Sequence, residues 1–453
     1  MRGNPEFIRN LWLEFTLHRV LVMPAIVGIL FLLMYLVNGQ ELDSATAQTA
    51  ALLFCAIIFI WGTRVASESV IQEINARTWD TQRMSAMGPW SMAWGKLFGS
   101  TVFVWYGGLI CMGLYWMSYI DILPEARLAK LILVYVLSGV IAHATGLLVS
   151  MQAVQKRRDF GRVQVAFYLL VGFAAALPGL YIGLSGWADD GVYRVMLFYD
   201  RVFPLIDCVL IALAVYSLWA LIGIWRMMRG ELQMVNGPWV WIAFVAFTVA
   251  VAAGVRLLHP EVGKAMPDIS SKAYHGYAML LILTYVIALA EPKGPVLFRR
   301  LRRYVQLHDW GSFFNAMPRS ILMLILVLLA SIVLLRLSES RIVVLEQPIN
   351  FHLATIATFL FVLRDVGFIY LLNISRYSPR NDTSAFLYLA LAYTVIPVAL
   401  IFLGLNPLTA IFWPQWDAGA GLTLGPVVIE VLIVFALMAR AWKVRVVRDE
   451  DVA

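Results

Sequence analysis

The sequence predicts an all-α polytopic membrane protein with about 12 transmembrane helices, an N-terminal interfacial helix and both termini in the cytoplasm. Three observations predict it. Of its 453 residues 61% are apolar and only 14% charged, whereas a soluble domain carries about 25% charged residues. Twelve segments each hold about 20 mostly apolar residues, the length that crosses the hydrocarbon core. Finally, Lys and Arg gather on one side of those segments, as the positive-inside rule requires.

The N-terminal stretch "NPEFIRNLWLEF" has Asn4 at the N-cap, Pro5 at the first helical position and Glu6 in the first turn. Phe7, Ile8, Leu11, Trp12 and Phe15 follow at helical spacing, and Arg9, Asn10 and Glu14 take the other face. This pattern suits a helix lying in the headgroup plane, with Pro24 allowing a bend into the first span. The stretch before the first apolar run is amphipathic rather than short and basic, so no cleavable signal peptide is expected.

The expected spans are roughly 20–38, 48–66, 97–119, 129–153, 164–184, 203–225, 236–256, 273–290, 318–336, 351–373, 384–404 and 423–441. An even number returns both termini to one side. Of the 35 Lys and Arg residues, 25 lie on the side of the termini, nine lie opposite and Arg364 lies inside the tenth span. The excess marks the cytoplasmic side. It also accounts for the net charge of +7, which in a soluble protein would point to nucleic acid; no nucleic-acid partner is expected here. Cys55, Cys111 and Cys208 lie in or beside apolar runs and read as packing residues, not as a disulfide or metal set.

Between the second and third spans lies "EINARTWDTQRMSAMGPWSMAWGKLFG", residues 73–99. Lipid would reject its Glu73, Arg77, Asp80, Gln82, Arg83 and Lys96. Acidic and basic residues alternate, although a topology signal needs only basic ones, so the segment reads as a docking helix, with a solvated positive-inside loop carrying an aromatic belt as the alternative. Charged residues would set register and Trp79 and Met84 would anchor; Trp90 and Trp94 suit the headgroup level. A second charged connection, "EPKGPVLFRRLRRYVQLHDWGSFFNAMPRS", follows the eighth span. Its Arg302, Arg303, Asp309 and Trp310 are the equivalent partner-contact candidates, and its basic run at 299–303 suits anionic lipid or the same partner. Each half also has a basic turn after its fourth span (154–162 and 374–382) and an aromatic, Pro-containing loop before its sixth. The common order argues for a parallel duplication of halves 1–230 and 231–453; independent six-span groups are the alternative.

In this order the residues resemble the transmembrane subunits of ABC-2-type transporters. Those subunits begin with an interfacial elbow helix, have six spans and carry a cytoplasmic coupling helix between spans two and three. Its usual form is an acidic residue, a Thr five positions on, a Pro-containing segment and Gly-Lys opening the third span. Glu73, Thr78, Pro89, Gly95 and Lys96 fit that order. Asn406-Pro407 matches an Asn-Pro step that the family places after the fifth span, where short helices dip into the outer leaflet. Asn75 stands where a second acidic residue is common and Arg77 where Gly is common; Pro89 lies nearer Gly-Lys than usual. The second charged connection lacks the Glu-to-Thr spacing, so the resemblance is good over roughly residues 1–230 and loose beyond.

The resemblance implies an exporter permease of a prokaryotic inner membrane. It would be driven by a separate cytoplasmic ATPase, in two copies, that holds ATP and Mg²⁺. The chain itself has no GxxxxGK[ST] motif and is not expected to be an enzyme or to hold a cofactor. The partner-contact residues would be Glu73, Arg77, Thr78, Trp79, Asp80 and Arg83 in the first connection. One chain forming a whole pore, a homodimer and a further permease subunit all remain open.

Within the spans, Arg364 and Asp365 are adjacent, and adjacent helical residues do not face each other. Each therefore needs a partner elsewhere, either along a substrate or ion path or in an interhelical structural pair. His143 and His352 read as hydrogen-bonded packing residues or as members of a proton relay. An ion- or proton-coupled secondary transporter using Arg364, Asp365 and His352 is the alternative function. An integral membrane transferase would have to rely on Asp121, Glu125, Asp189, Asp190 and Asp200 of the outer loops. No His/Cys cluster has metal spacing, and no GxSxG or dinucleotide loop occurs.

Overall fold

In the computed structural model each of the twelve apolar segments contains a helix. The structure describes residues 4–155, 162–185, 195–257, 268–337, 341–344, 347–375, 381–414 and 419–448. Most of the two expected basic turns (156–161 and 376–380) and Asp189 and Asp190 lie outside the described residues. Among the described residues eleven helices are long and apolar enough to cross a membrane, and Trp239–Gly254, the seventh span, is a shorter apolar helix of 16 residues. The protein is thus an all-α polytopic membrane protein. Its described strands are short connections of three or four residues, such as the antiparallel pair Arg341–Val344 and Gln347–Asn350.

The chain divides into two units, one of Met1–Met196 with Val202–Asn236, the other of Leu197–Arg201 with Gly237–Ala453. In the first unit the fourth span, Glu125–Gln155, is central and packs on the second, fifth and sixth. Phe54, Phe59, Tyr115 and Tyr135 fill the space between them. In the second unit the tenth span, Phe351–Ser375, packs along the twelfth, and the eighth lies against the seventh and ninth. The outward faces stay apolar: Leu30 and Leu33 of the first span and Ile429 and Leu432 of the twelfth are exposed. Lipid tails solvate such faces as well as a protein core would.

Three helix irregularities are each repaired by a side chain. Proline has no N–H, so the carbonyl four residues before it is left free, and in a membrane a free carbonyl is costly. Pro24 frees the Val20 carbonyl, which accepts from the Tyr106 hydroxyl at 3.1 Å. Pro397 frees the Tyr393 carbonyl, which accepts from the Trp413 indole at 2.8 Å. The third lies in the second span, Ser44–Asn75, which carries a π-helical segment over Cys55–Gly62. There the Ile58 carbonyl meets His143 Nε2 at 2.8 Å, and the imidazole packs edge-on to Trp105. A Cβ on Gly62 would lie 2.3 Å from His143 Nε2, so glycine is what admits the ring. His143 thus sits as a buried packing residue, one of the two roles its sequence position allowed.

This close approach makes a prediction. Gly62→Ala overpacks the site and should lower stability by about 1–3 kcal/mol, read as a fall in melting temperature of the purified protein. In a His143→Ala background the same substitution should cost little. An equal cost in both backgrounds would contradict the packing account.

Candidate functional site

The second span stops at the start of the first charged connection. Arg77 adopts a left-handed conformation, φ +59°, its N–H bonds to the Ile74 carbonyl at 3.0 Å and the Thr78 N–H bonds to the Glu73 carbonyl at 2.9 Å. This pair of bonds is a Schellman stop. The Thr78 hydroxyl donates to the same Glu73 carbonyl at 3.3 Å. The five-residue spacing of Glu73 and Thr78 is therefore the spacing of a helix C-cap, and position 77 is one that glycine would occupy without strain.

The N-terminal helix, Pro5–Glu14, is capped by the Asn4 side chain, which accepts from the Glu6 and Phe7 N–H groups. It lies on the start of the third span. A Cβ at Gly95 would fall 2.5 Å from Glu6 Cβ, and one at Gly99 would fall 3.2 Å from Phe7 Cα; the GKLFG spacing makes room for the helix. Glu6 and Asn10 turn toward the spans, although the sequence pattern put Asn10 with Arg9 and Glu14 on the face away from the apolar stripe. Glu6 is 3% exposed while Trp12, on the apolar stripe, is 80% exposed. The reason is a buried charge: Lys96 is 2% exposed, and its Nζ reaches Glu6 Oε1 at 2.7 Å and also contacts Glu73 Oε1. Arg9 bridges the two carboxylates at 2.8 and 2.7 Å, and Gln82 Nε2 donates to Glu73 at 2.6 Å. The Trp79 ring lies 5.8 Å from Lys96 Nζ, within cation–π range.

Two of the expected partner contacts are therefore turned into the chain. Glu73 is buried in this cluster. Trp79 is buried, and its indole points to Glu231 at 3.4 Å. Neither offers its side chain to a partner, because each holds the short helix Trp79–Arg83 to the spans beneath. Arg83 is half-buried and donates to the Glu231 carbonyl at 2.9 Å. Arg77, Thr78 and Asp80 face outward, and Met84 is 82% exposed. Trp90 and Trp94 are part exposed, with Trp90 edge-on to Trp225.

In the second unit Glu291 ends the eighth span and grips the start of the ninth. Its carboxylate accepts from the Arg319 and Ser320 N–H groups at 2.7 and 3.1 Å, from the Ser320 hydroxyl and from Tyr370 at 3.0 Å. Buried Lys293 pairs with Asp382 at 3.0 Å. The connection then forms two short helices, Pro295–Gln306 and Trp310–Ala316. Phe298 and Leu301 are buried, Arg302 is half-buried, and Arg303, Asp309 and Trp310 are exposed. Asp309 caps the second short helix by accepting from the Ser312 N–H at 3.0 Å, and the bonds from Ser312 hold its carboxyl below the usual range.

Inside the tenth span, Arg364 and Asp365 pair with each other, which adjacency argued against, and each also has the partners elsewhere that a charge inside a span needs. The Arg364 side chain is long enough to fold back, and its Nε and an Nη lie 2.8 Å from Asp365 Oδ1. Its other Nη reaches Glu430 of the twelfth span at 2.6 Å and the Ile411 carbonyl at 3.1 Å. Tyr285 and Tyr393 each donate to Asp365 Oδ2 at 2.6 Å. Glu430 was missed from sequence; an acidic residue inside an apolar span was its signal. Asn406 and Pro407 are exposed and open a 3₁₀ helix, Asn406–Ile411, which returns the chain to the level of Arg364, midway along the tenth span. His352 lies near the start of that span, apart from the cluster. A cavity of about 420 Å³ lies beside the cluster, lined by Leu281, Phe361, Phe386 and Leu389 with Tyr285 and Tyr393.

Among the described residues no group of three or more His, Cys, Asp and Glu could hold a metal ion. Comparisons with protein-family models, with curated proteins and with solved structures gave no match.

The Lys96 cluster yields a stability prediction. Lys96→Met leaves two buried carboxylates with Arg9 alone and should cost about 3–5 kcal/mol. Arg77→Ala, on the exposed side of the same connection, should stay within about 1 kcal/mol. Thermal melts of the purified variants check the contrast, and equal melts would contradict it.

Proposed function

We propose that the chain is the membrane-spanning subunit of an ABC-2-type exporter, moved by ATP hydrolysis on a separate cytoplasmic ATPase. One observation carries the reading: the charged connection after the second span is fastened to the membrane helices through buried Lys96. A force applied to it therefore passes to the second span, the third span and the N-terminal helix together. Each member of the resembling set also has a mechanical role. Glu73 and Thr78 stop the span, Pro89 starts the helix Pro89–Trp94, Gly95 seats the N-terminal helix and Lys96 locks it.

In this reading the outward Arg77, Thr78, Asp80 and Met84 meet the ATPase, with charges setting register and Met84 as the apolar anchor. ATP and Mg²⁺ belong to that partner. The positive-inside count supports a cytoplasmic side for this connection and both termini, and the family resemblance supports a prokaryotic inner membrane. A secondary transporter would route ions through Arg364 and Asp365. Their pairing with each other, Glu430, Tyr285 and Tyr393 supports a structural role instead.

The triple variant Arg77→Ala, Asp80→Ala, Met84→Ala should lower stimulation of the partner's ATPase by roughly tenfold, the equivalent of about 1.4 kcal/mol of docking energy. Yield and melting temperature should hold. Unchanged stimulation in well-folded protein would remove this surface from the coupling role.

A further inference from the structure

We propose that the paired short helices Pro295–Gln306 and Trp310–Ala316 form a docking surface for anionic phospholipid headgroups. The first helix has two distinct faces. Phe298 and Leu301 face the core of the second unit, where Phe298 packs on Tyr370 and Trp442. Arg299 is spent on the Arg445 carbonyl, at 2.8 Å from Nη2. Val296, Arg300, Arg303 and Leu307 stand at i, i+4, i+7 and i+11 and are all exposed, so they share one outward stripe. Arg300 and Arg303 make no ion pair among the described residues.

The second short helix continues this character. Phe313 and Ala316 pack on the same core as Phe298 and Leu301, while Trp310 and Phe314, four residues apart, are 51% and 55% exposed. Asp309, the one acid in the pair, is committed to the cap. The outward stripe of the first helix thus sets two guanidinium groups between Val296 and Leu307, and Trp310 and Phe314 are exposed on the second. Cations over phosphate with aromatic and aliphatic side chains just below is the chemistry of a bilayer interface. Position agrees: the pair is held between the eighth span, which ends at Ala290, and the ninth, which begins at Arg319, so it lies beside the membrane surface. The first unit's connection differs, presenting Arg77 with Asp80 and Met84, a mixed-charge set suited to a protein surface. Anionic headgroups complement this cationic stripe and its flanking aromatic side chains.

The test is native mass spectrometry of the detergent-solubilised full chain with phosphatidylglycerol or with phosphatidylcholine of the same acyl chains. The parent should retain phosphatidylglycerol preferentially. Arg300→Gln with Arg303→Gln should lower that retention roughly tenfold or more, at about the strength expected of two interfacial cations, and leave phosphatidylcholine unchanged. Trp310→Ser with Phe314→Ser should also weaken it. Equal phosphatidylglycerol retention in the folded double-Gln variant, or an equal loss for both lipids, overturns the proposal. So does a loss of ATPase stimulation in that variant with lipid retention intact.

Discussion

A single ammonium group, Lys96, holds the charged connection of the first unit to its membrane helices. Around it stand Glu6 from the N-terminal helix, Glu73 from the end of the second span, and Arg9, so two positive and two negative charges balance. Such a cluster adds little net stability, because desolvation offsets the Coulomb attraction. Its effect is on register: removing any member leaves a charge uncompensated. The chain thus has one low-energy placement for the N-terminal helix, and Gly95 and Gly99 allow it by opening the surface where that helix lies. The short helix Trp79–Arg83 follows, since Gln82 and Trp79 are tied to the same cluster and to Glu231.

The second unit solves the same problem with different chemistry. Glu291 also ends the second span of its unit and grips the start of the third, but its partners are backbone N–H groups at the helix N-terminus, Ser320 and Tyr370. A carboxylate there is favoured by the unpaired N–H groups and by the helix dipole. Its nearby lysine, Lys293, pairs elsewhere, with Asp382. The common element is an acid that closes the turn between two spans, and the partner sets differ.

The spans were legible because length and apolarity alone decide them, and Asn4 and Pro5 marked the N-terminal helix because capping is local. The direction of its faces was not legible. An amphipathic helix at a membrane ordinarily gives its charges to water, and this one gives Glu6 and Asn10 to the protein. GKLFG, a lysine inside a small-residue spacing at the head of a span, was the available signal. Trp79 read as an anchor for a partner because hydropathy cannot distinguish an inward from an outward aromatic. For Arg364 and Asp365, the helical-neighbour rule describes Cβ directions and does not limit a guanidinium that reaches back along its own helix. Glu430 needed only an inspection of acids inside spans. The mechanical meaning of Glu73 and Thr78, a helix stop, required the backbone itself.

The central claim is that the Lys96-fastened connection serves an ATPase carried on another chain. Affinity purification of the tagged chain from native membranes, with mass spectrometry of what accompanies it, tests this most directly. The account predicts a stoichiometric cytoplasmic protein with nucleotide-binding motifs, lost when Arg77, Asp80 and Met84 are replaced. An intact, monodisperse chain that repeatedly arrives with no such protein would contradict it.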